Sequence, residues 1–130
     1  MATLSSLVRD EALLAQDVLA QVLAPLLTIT GRGEILPTNT FQQLPRRGKV
    51  LAVLLALKAM RVLNIRTDEA AGPTEIAVIG GIPLGSVKPE VRALERENII
   101  IAQNGRYSIP VRSINVVAKL ISTEATDGTS

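Results

Sequence analysis

The stretch IGGIPLGSVKPEVRALERENIIIAQNGRYSIP, residues 79–110, decides the fold. The pair Gly80-Gly81 can supply a sharp turn after one helix. A second helix is predicted to begin near Leu84, because Pro89 has no N–H group and is tolerated in a first helical turn. Its inward positions recur at helical spacing: Val87, Val91 and Leu94. The Asn104-Gly105 pair between two β-rich runs then predicts a tight hairpin.

The ends of these elements are predicted from their capping residues. Thr74 follows a Gly-Pro stop and is expected to cap the first helix. Ser86 is expected to cap the second helix, and Asn98 lies where a left-handed residue commonly ends one. The hairpin is expected to bury four side chains: Ile99, Ile101, Tyr107 and Ile109. The stretch therefore predicts helix, turn, helix and hairpin in that order.

Upstream, residues 46–65 give the strongest helical pattern of the chain. From Val50 to Leu63 this segment is apolar on nearly every side, and only Lys58 and Arg61 interrupt it. A helix of that kind must be covered on several sides. We expect the N-terminal helix to cover one side and the two helices of residues 74–98 to cover the other.

The flanking segments complete the predicted layout. Residues 3–27 have apolar residues at the spacing of one helix face, and Pro25 predicts a bend or an end. Residues 28–45 are predicted as a loop, with a short strand at Ile35-Leu36 and with Phe41 and Leu44 anchored in the core. Another helix is expected over 111–122. The predicted divisions are a packing region (1–45), a main domain (46–122) and a disordered tail (123–130).

The composition excludes several classes of function. The 130 residues include neither Cys nor His, which removes disulfides, thiol chemistry, imidazole bases and zinc fingers. Gly31-Arg32-Gly33 is too short for a phosphate loop, and GGIPLG at 80–85 lacks the Lys-Ser/Thr of one. We expect no catalytic residue, metal or cofactor and interpret the chain as not an enzyme. The run 50–57 is too short to cross a bilayer, so we expect a cytoplasmic protein without membrane contact.

The charge is small overall but unevenly distributed. The formal net charge is +2. Residues 42–66 hold six bases and no acid, whereas residues 67–110 hold four bases and six acids. A basic footprint on this protein would therefore be local rather than global.

The order of these elements resembles the winged helix-turn-helix superfamily over residues 46–110. The residues that carry the resemblance are Thr74-Glu75-Ile76-Ala77, Gly81-Ile82, Val87, Val91, Leu94-Glu95-Arg96-Glu97-Asn98-Ile99 and Asn104-Gly105. In many relatives the position of Asn98 is a glycine. The resemblance implies a mostly α fold with a small β-hairpin, a winged helix-turn-helix with an added N-terminal helix and a C-terminal helix.

A narrower similarity covers residues 81–97. This segment is similar to the helix-turn-helix of extracytoplasmic-function sigma factors, in which Gly-Thr-Val-Lys-Ser-Arg usually follows the turn. Gly85, Ser86, Val87 and Lys88 match that run in kind, whereas Pro89-Glu90 replaces its Ser-Arg. A wing hairpin is not a sigma-factor feature. The similarity supports a helix-turn-helix rather than a sigma factor.

The resemblance implies binding to double-stranded DNA, with the second motif helix in the major groove. The wing tip and the basic start of the central helix would then contact the minor groove or the phosphates. The predicted DNA-binding residues are Ser86, Lys88, Pro89, Arg92, Arg96, Asn104, Arg106, Arg46, Arg47 and Lys49. Three acids, Glu90, Glu95 and Glu97, oppose this interpretation, because acids weaken binding near phosphates. A solvated helix of mixed charge is the alternative.

The N-terminal helix is predicted to contribute a dimer interface, because its apolar face is wider than one packing surface needs. The predicted interface residues are Leu4, Val8, Ala15, Leu19 and Val22. We therefore expect a homodimeric transcriptional regulator. The alternative is a winged helix that binds a further protein partner in a larger complex and does not contact DNA. An apolar patch on the exposed side of the motif helix would favour that alternative.

Overall fold

A computed structural model describes the backbone of residues 11–127 and the side chains of residues 16–122. This part of the chain is mostly helical, as predicted, and carries two small antiparallel hairpins, one more than predicted. The elements are α1 (Glu11–Leu23), β1 (Leu27–Ile29), β2 (Ile35–Pro37), α2 (Asn39–Gln43), α3 (Arg46–Val62), α4 (Pro73–Gly80), α5 (Leu84–Arg96), β3 (Ile101–Gln103), β4 (Arg106–Ser108) and α6 (Ile114–Asp127). Within residues 11–127, no helix combines the length and the apolar character needed to cross a membrane.

Helix α3 is the centre of the core. Every side chain from Val50 to Leu57 is buried, and α1, α4, α5 and α6 all pack against this helix. The prediction of a covered central helix is thus confirmed. Burial of one such leucine contributes about 2 kcal/mol relative to exposure. The helix ends at Val62, and Asn64 takes a left-handed conformation with φ 60°.

The region between α1 and α3 contains more regular structure than predicted. The strand at Ile35-Leu36 is confirmed, but it pairs with β1 in a hairpin in which Ile29 lies opposite Ile35. Helix α2 follows directly, and the Thr38 side chain caps it by accepting a hydrogen bond from the Phe41 N–H group. Strands of three residues show no periodicity of their own, so packing rather than pattern defines them. Phe41 and Leu44 are buried as expected.

The two predicted N-caps are wrong, although the turn between the helices is confirmed. Helix α4 begins at Pro73, which occupies the first helical position after Gly72. Proline suits that position because its fixed φ is helical and its missing N–H would be unpaired there anyway. Helix α5 begins at Leu84, which places Ser86 inside its first turn rather than at its cap. Gly81, with φ 64°, makes the left-handed turn between the helices.

Pro89 lies inside α5, in its second turn, and not in a first turn as predicted. Because proline has no N–H group, the carbonyl of Gly85 four residues earlier receives no helical hydrogen bond from it. The ring of a proline also crowds the carbonyl at that position. A Cβ at Gly85 would meet no heavy atom within 4 Å, so the start of α5 is open to solvent.

The predicted turn of the hairpin after α5 is confirmed, but the prediction of which hairpin residues are buried needs correction. Asn104 and Gly105 both have positive φ, and Asn98 ends the preceding helix at φ 61°. The core residue at the base of β3 is Ile100, whereas Ile101 is exposed. All three residues of β3 are exposed, so the hairpin packs on the core through residues that flank its strands, Ile100 and the correctly predicted Ile109. An isolated bridge joins Ala71 to Tyr107 beside the hairpin.

Helix α6 joins the N-terminal region to the rest of the core. It packs against α1 and α3, and its buried residues Ile114, Val117 and Ile121 belong to the same core as Leu19 and Phe41. The helix begins after a 3₁₀ turn and extends to Asp127, beyond the predicted end at residue 122. Its last turn therefore enters the segment predicted as a disordered tail.

Candidate nucleic-acid interface

Helix α5 presents a cationic side to solvent. Lys88, Arg92 and Arg96 are spaced four residues apart and are all exposed. Successive helix positions differ by about 100°, so the three side chains lie within an arc of about 80°. Val87, Val91 and Leu94 form the buried side of the helix. Among the described side chains, Lys88, Arg92 and Arg96 form no ion pair with an acid, so this side, here called the cationic stripe, keeps its charge.

Two acids, Glu90 within α5 and Glu97 at its end, lie on the flank opposite the cationic stripe and face α3. Arg47 donates two parallel hydrogen bonds to Glu97, at 3.0 and 2.7 Å, and a third from Nε to Glu90 at 3.3 Å. On the helix, Glu90 and Glu97 are about 140–160° away from Arg92. These two acids therefore do not lie among the cations of the stripe. Glu95 is the remaining acid of the helix; it is exposed and lies one turn after Arg92, about 60° from it around the helix, on the side of the cationic stripe.

Arg47 has a different role from the one predicted. Its guanidinium is occupied by Glu90 and Glu97, and the hydrogen bond to Glu97 is the largest cause of its raised pKa. A bidentate arginine–carboxylate pair is stronger and better oriented than a single contact. Arg47 therefore fixes α5 on α3 and is not available as a phosphate contact in this arrangement.

We expect the Glu97 carboxyl group to titrate below the ordinary pKa of about 4.5. The hydrogen bonds from Arg47 are the main cause of this lowered pKa. Because the folded-state pKa lies below the unfolded one, the pair stabilises the fold above the ordinary pKa. This contribution is lost as the pH falls through the folded-state value. An NMR titration of the carboxyl carbon should show the pKa rising toward its ordinary value in Arg47→Gln. The matched variant Arg46→Gln should leave it unchanged, and an unshifted Glu97 in Arg47→Gln would contradict the pairing.

The hairpin cation predicted to contact DNA, Arg106, is paired with an acid in the structure. The Arg106 guanidinium binds the Asp68 carboxylate and the Ala70 carbonyl, and Glu75 lies 3.9 Å away. Arg106 thus fastens the hairpin to the loop before α4. Asn104 is exposed at the turn. The hairpin cation beside it, Arg106, is paired with Asp68.

Arg46 and Lys49 lie at the start of α3. Arg46 is exposed and Lys49 is half-buried, and neither forms an ion pair with any described residue. Arg47, between them in the chain, reaches the acidic flank of α5. Around α3, Arg46 and Lys49 are turned about 100° and about 160° from Arg47, the residue that reaches α5.

One cation was missed by the sequence-based prediction. Arg112 is exposed and donates a hydrogen bond of 2.9 Å to the Asn98 carbonyl, just beyond the end of α5. This contact places a further cation just beyond the C-terminal end of α5 without neutralising its charge. Arg112 lies 16 positions after Arg96 in the chain, so only the fold brings it to the end of this helix.

Most other bases of the chain's basic segment are neutralised. Lys58 and Arg61 both bind Glu69, and Arg66 binds Glu75. Lys58 is buried, with 7% of its side chain exposed. The acids of residues 67–110 therefore cancel the bases of 42–66 that lie near them, and the stripe on α5 is left as the organised basic surface. No group of three acids able to hold a metal occurs among the described residues.

Of the five residues predicted to form the dimer interface, the structure describes the side chains of two, Leu19 and Val22. Leu19 and Val22 are buried in the core of the chain itself, where α1 packs on α3 and α6. Leu19 is 2% and Val22 8% exposed, so both mainly serve the packing of α1 within its own chain. Leu4 and Val8 lie outside the described residues, and the side chain of Ala15 does as well.

Comparison with known proteins gave no relative. No family model, no curated protein and no solved structure matches this chain.

Proposed function

We propose that the chain is a double-stranded DNA-binding protein of the winged helix-turn-helix type, acting as a homodimeric transcriptional regulator. The single observation that carries the proposal is the cationic stripe of Lys88, Arg92 and Arg96, which is exposed and separated from Glu90 and Glu97. The order of α4, turn, α5 and hairpin supports it. In this class of protein the second motif helix is the one that enters the major groove.

In this proposal α5 contacts DNA with the side away from its core. Lys88 and Arg92 donate to phosphates or to guanine O6 and N7 in the major groove. The open start of the helix at Gly85 lets the backbone approach the duplex, because no side chain projects there. Ser86 and Pro89 lie on the same first two turns. Arg96 and Arg112, at the other end of α5, contact the phosphate backbone.

Fluorescence anisotropy with a random duplex tests the proposal over about 50–200 mM salt. Four cations on this side or at the end of α5 have no acidic partner among the described residues: Lys88, Arg92, Arg96 and Arg112. If all four neutralise phosphates, the slope of log affinity against log salt should be about −3.6. Micromolar binding with a clear negative slope is the expected result. Absence of binding at tens of micromolar and low salt would overturn the proposal.

A second candidate function is protein binding without DNA contact, and one observation favours it. Val78 on α4 is 77% exposed and Leu36 on β2 is 50% exposed. Both line one groove, which also contains Ile79 and Met60. Exposed apolar groups that share a groove are typical of a protein contact. The exposed side of α5 is charged and not apolar, so the groove is a surface separate from the cationic stripe. A protein partner in this groove is therefore compatible with DNA binding by α5 and does not require it.

A further inference from the structure

An apolar groove runs along the C-terminal half of α1. Its volume is about 400 Å³, and α1, β1 and the end of α3 form its walls. The lining side chains that matter here are Leu19, Ala20, Leu23, Leu27, Val62 and Leu63. Leu63 is 56% exposed although it borders this apolar surface. Ala20 and Ala24 are exposed and one turn apart, so a second helix could approach closely.

The occupant is suggested by the chain that precedes α1. Residues 1–10 carry Leu4, Leu7 and Val8, an i, i+3, i+4 pattern that suits a helix lying in a groove. The groove-lining part of α1 lies at Gln16 to Ala24. The N-terminal region therefore has an apolar segment at residues 1–10 and an apolar groove at residues 16–24.

Within one chain, Val8 cannot lie level with Ala20, which is in the middle of the groove-lining part of α1. Helix α1 is formed from Glu11, and Ala20 lies nine residues further, about 13 Å along the helix axis. Val8 precedes Glu11 by three residues and can extend at most about 11 Å from it. Val8 consequently does not reach the level of Ala20, whereas a segment from another chain has no such restriction.

We propose that residues 1–10 of a second copy of this chain occupy the groove, with the two α1 helices antiparallel about a two-fold axis. In each chain, α1 connects the segment to the groove. Under a two-fold axis the segment of each chain therefore enters the groove of the other, and the dimer is closed. The interface uses Ala20 and Leu63 and leaves Leu19 and Val22 in the core of each chain. This inference rests on the homodimer of the proposed function but does not depend on DNA binding.

Two exposed leucines provide a matched pair of variants. Leu63→Glu places a charge in the groove, and Leu36→Glu places the same charge on a half-exposed leucine of the other groove. Light scattering after size exclusion is expected to give twice the 13.8 kDa chain mass for the native protein and for Leu36→Glu. Leu63→Glu is expected to be monomeric, with an unchanged helical circular dichroism spectrum.

Disulfide cross-linking locates the segment, since the native chain has no cysteine. A tagged Val8→Cys protein is mixed with an untagged Ala20→Cys protein, exchanged and oxidised. A covalent heterodimer is expected for this mixture and not for Val8→Cys with Gln103→Cys, whose second position lies on the β3–β4 hairpin. The double variant Val8→Cys/Ala20→Cys is expected to give linked dimers rather than oxidised monomers.

Each contrary result has its own meaning. A dimer that persists in Leu63→Glu, without the heterodimer cross-link, would overturn this interface and leave the homodimer standing. An oxidised monomer of the double variant would show that the chain's own segment reaches the groove and would also overturn it. A monomeric native chain at tens of micromolar would overturn both the interface and the homodimer, while the anisotropy experiment would still decide DNA binding.

Discussion

The double variant Lys88→Ala/Arg92→Ala is expected to bind a DNA duplex at least about thirtyfold more weakly than the native chain at low salt. Each of these cations, when it contacts a base edge or a phosphate, contributes about 1 kcal/mol or more to binding. The loss should also make the salt dependence shallower, by about 2 in the slope, because two fewer counterions are released. Both side chains are exposed, so folding should not change.

The matched control removes the same charge elsewhere. Arg32 and Lys119 are exposed and lie outside α5, on the β1–β2 turn and on α6. Arg32→Ala/Lys119→Ala therefore lowers the net charge by the same amount without touching the stripe. Its affinity should stay within about threefold of the native value, and its salt slope should stay within about 0.5 of the native slope. Charges farther from the DNA than a Debye length are screened. Equal losses in both double variants would show that only net charge matters, and the stripe would no longer be the site.

The second large effect is expected in stability, at the buried cation of α3. Glu69→Gln should lower the free energy of unfolding by about 3 kcal/mol, because Lys58 would remain buried without a counter-charge. The native contact is a hydrogen-bonded ion pair in which 7% of the lysine and 17% of the glutamate side chain are exposed. Arg61 would lose its carboxylate partner as well, but it is exposed and should contribute little. Urea unfolding followed by circular dichroism gives the value.

A compensating substitution separates the buried charge from the loop contact. Lys58→Met/Glu69→Gln removes the charge and fills the same space with an apolar side chain, so it should recover most of the lost stability. Glu95→Gln is the control, because Glu95 is exposed and has no ion pair among the described residues; its change should stay within about 0.5 kcal/mol. If Glu69→Gln is no less stable than Glu95→Gln, the pair does not hold the loop before α4 as described.

The two expected effects concern different parts of one charge distribution. Six acids follow six bases along the chain, and most of the acids bind bases: Asp68, Glu69, Glu75, Glu90 and Glu97. Glu90 and Glu97, which counted against DNA binding in the sequence, are held by Arg47 away from the stripe. Arg106, which counted in favour of it, is held by Asp68. Of the cations without an acidic partner among the described residues, four lie on α5 or at its end: Lys88, Arg92, Arg96 and Arg112.

The sequence by itself determined the order of the main elements. Val87, Val91 and Leu94 recur at helical spacing, Gly81 and Asn98 permit left-handed conformations, and Asn104-Gly105 specifies a two-residue turn. These features depend on neighbouring residues alone, which is why they can be read without a structure. The four-residue spacing of Lys88, Arg92 and Arg96, which puts them on one side of a helix, is likewise visible in the sequence alone.

The tertiary structure alone decided the short strands and which charges are free. The β1–β2 hairpin is held by packing, and its three-residue strands have too little pattern to be recognised. Arg47 and Glu97 are 50 residues apart in the chain, and Arg106 and Asp68 are 38 apart. Whether a cation is neutralised depends on such distant partners, because Coulomb attraction acts through space. A helix can therefore be read from its own residues, whereas its available charge requires the fold around it.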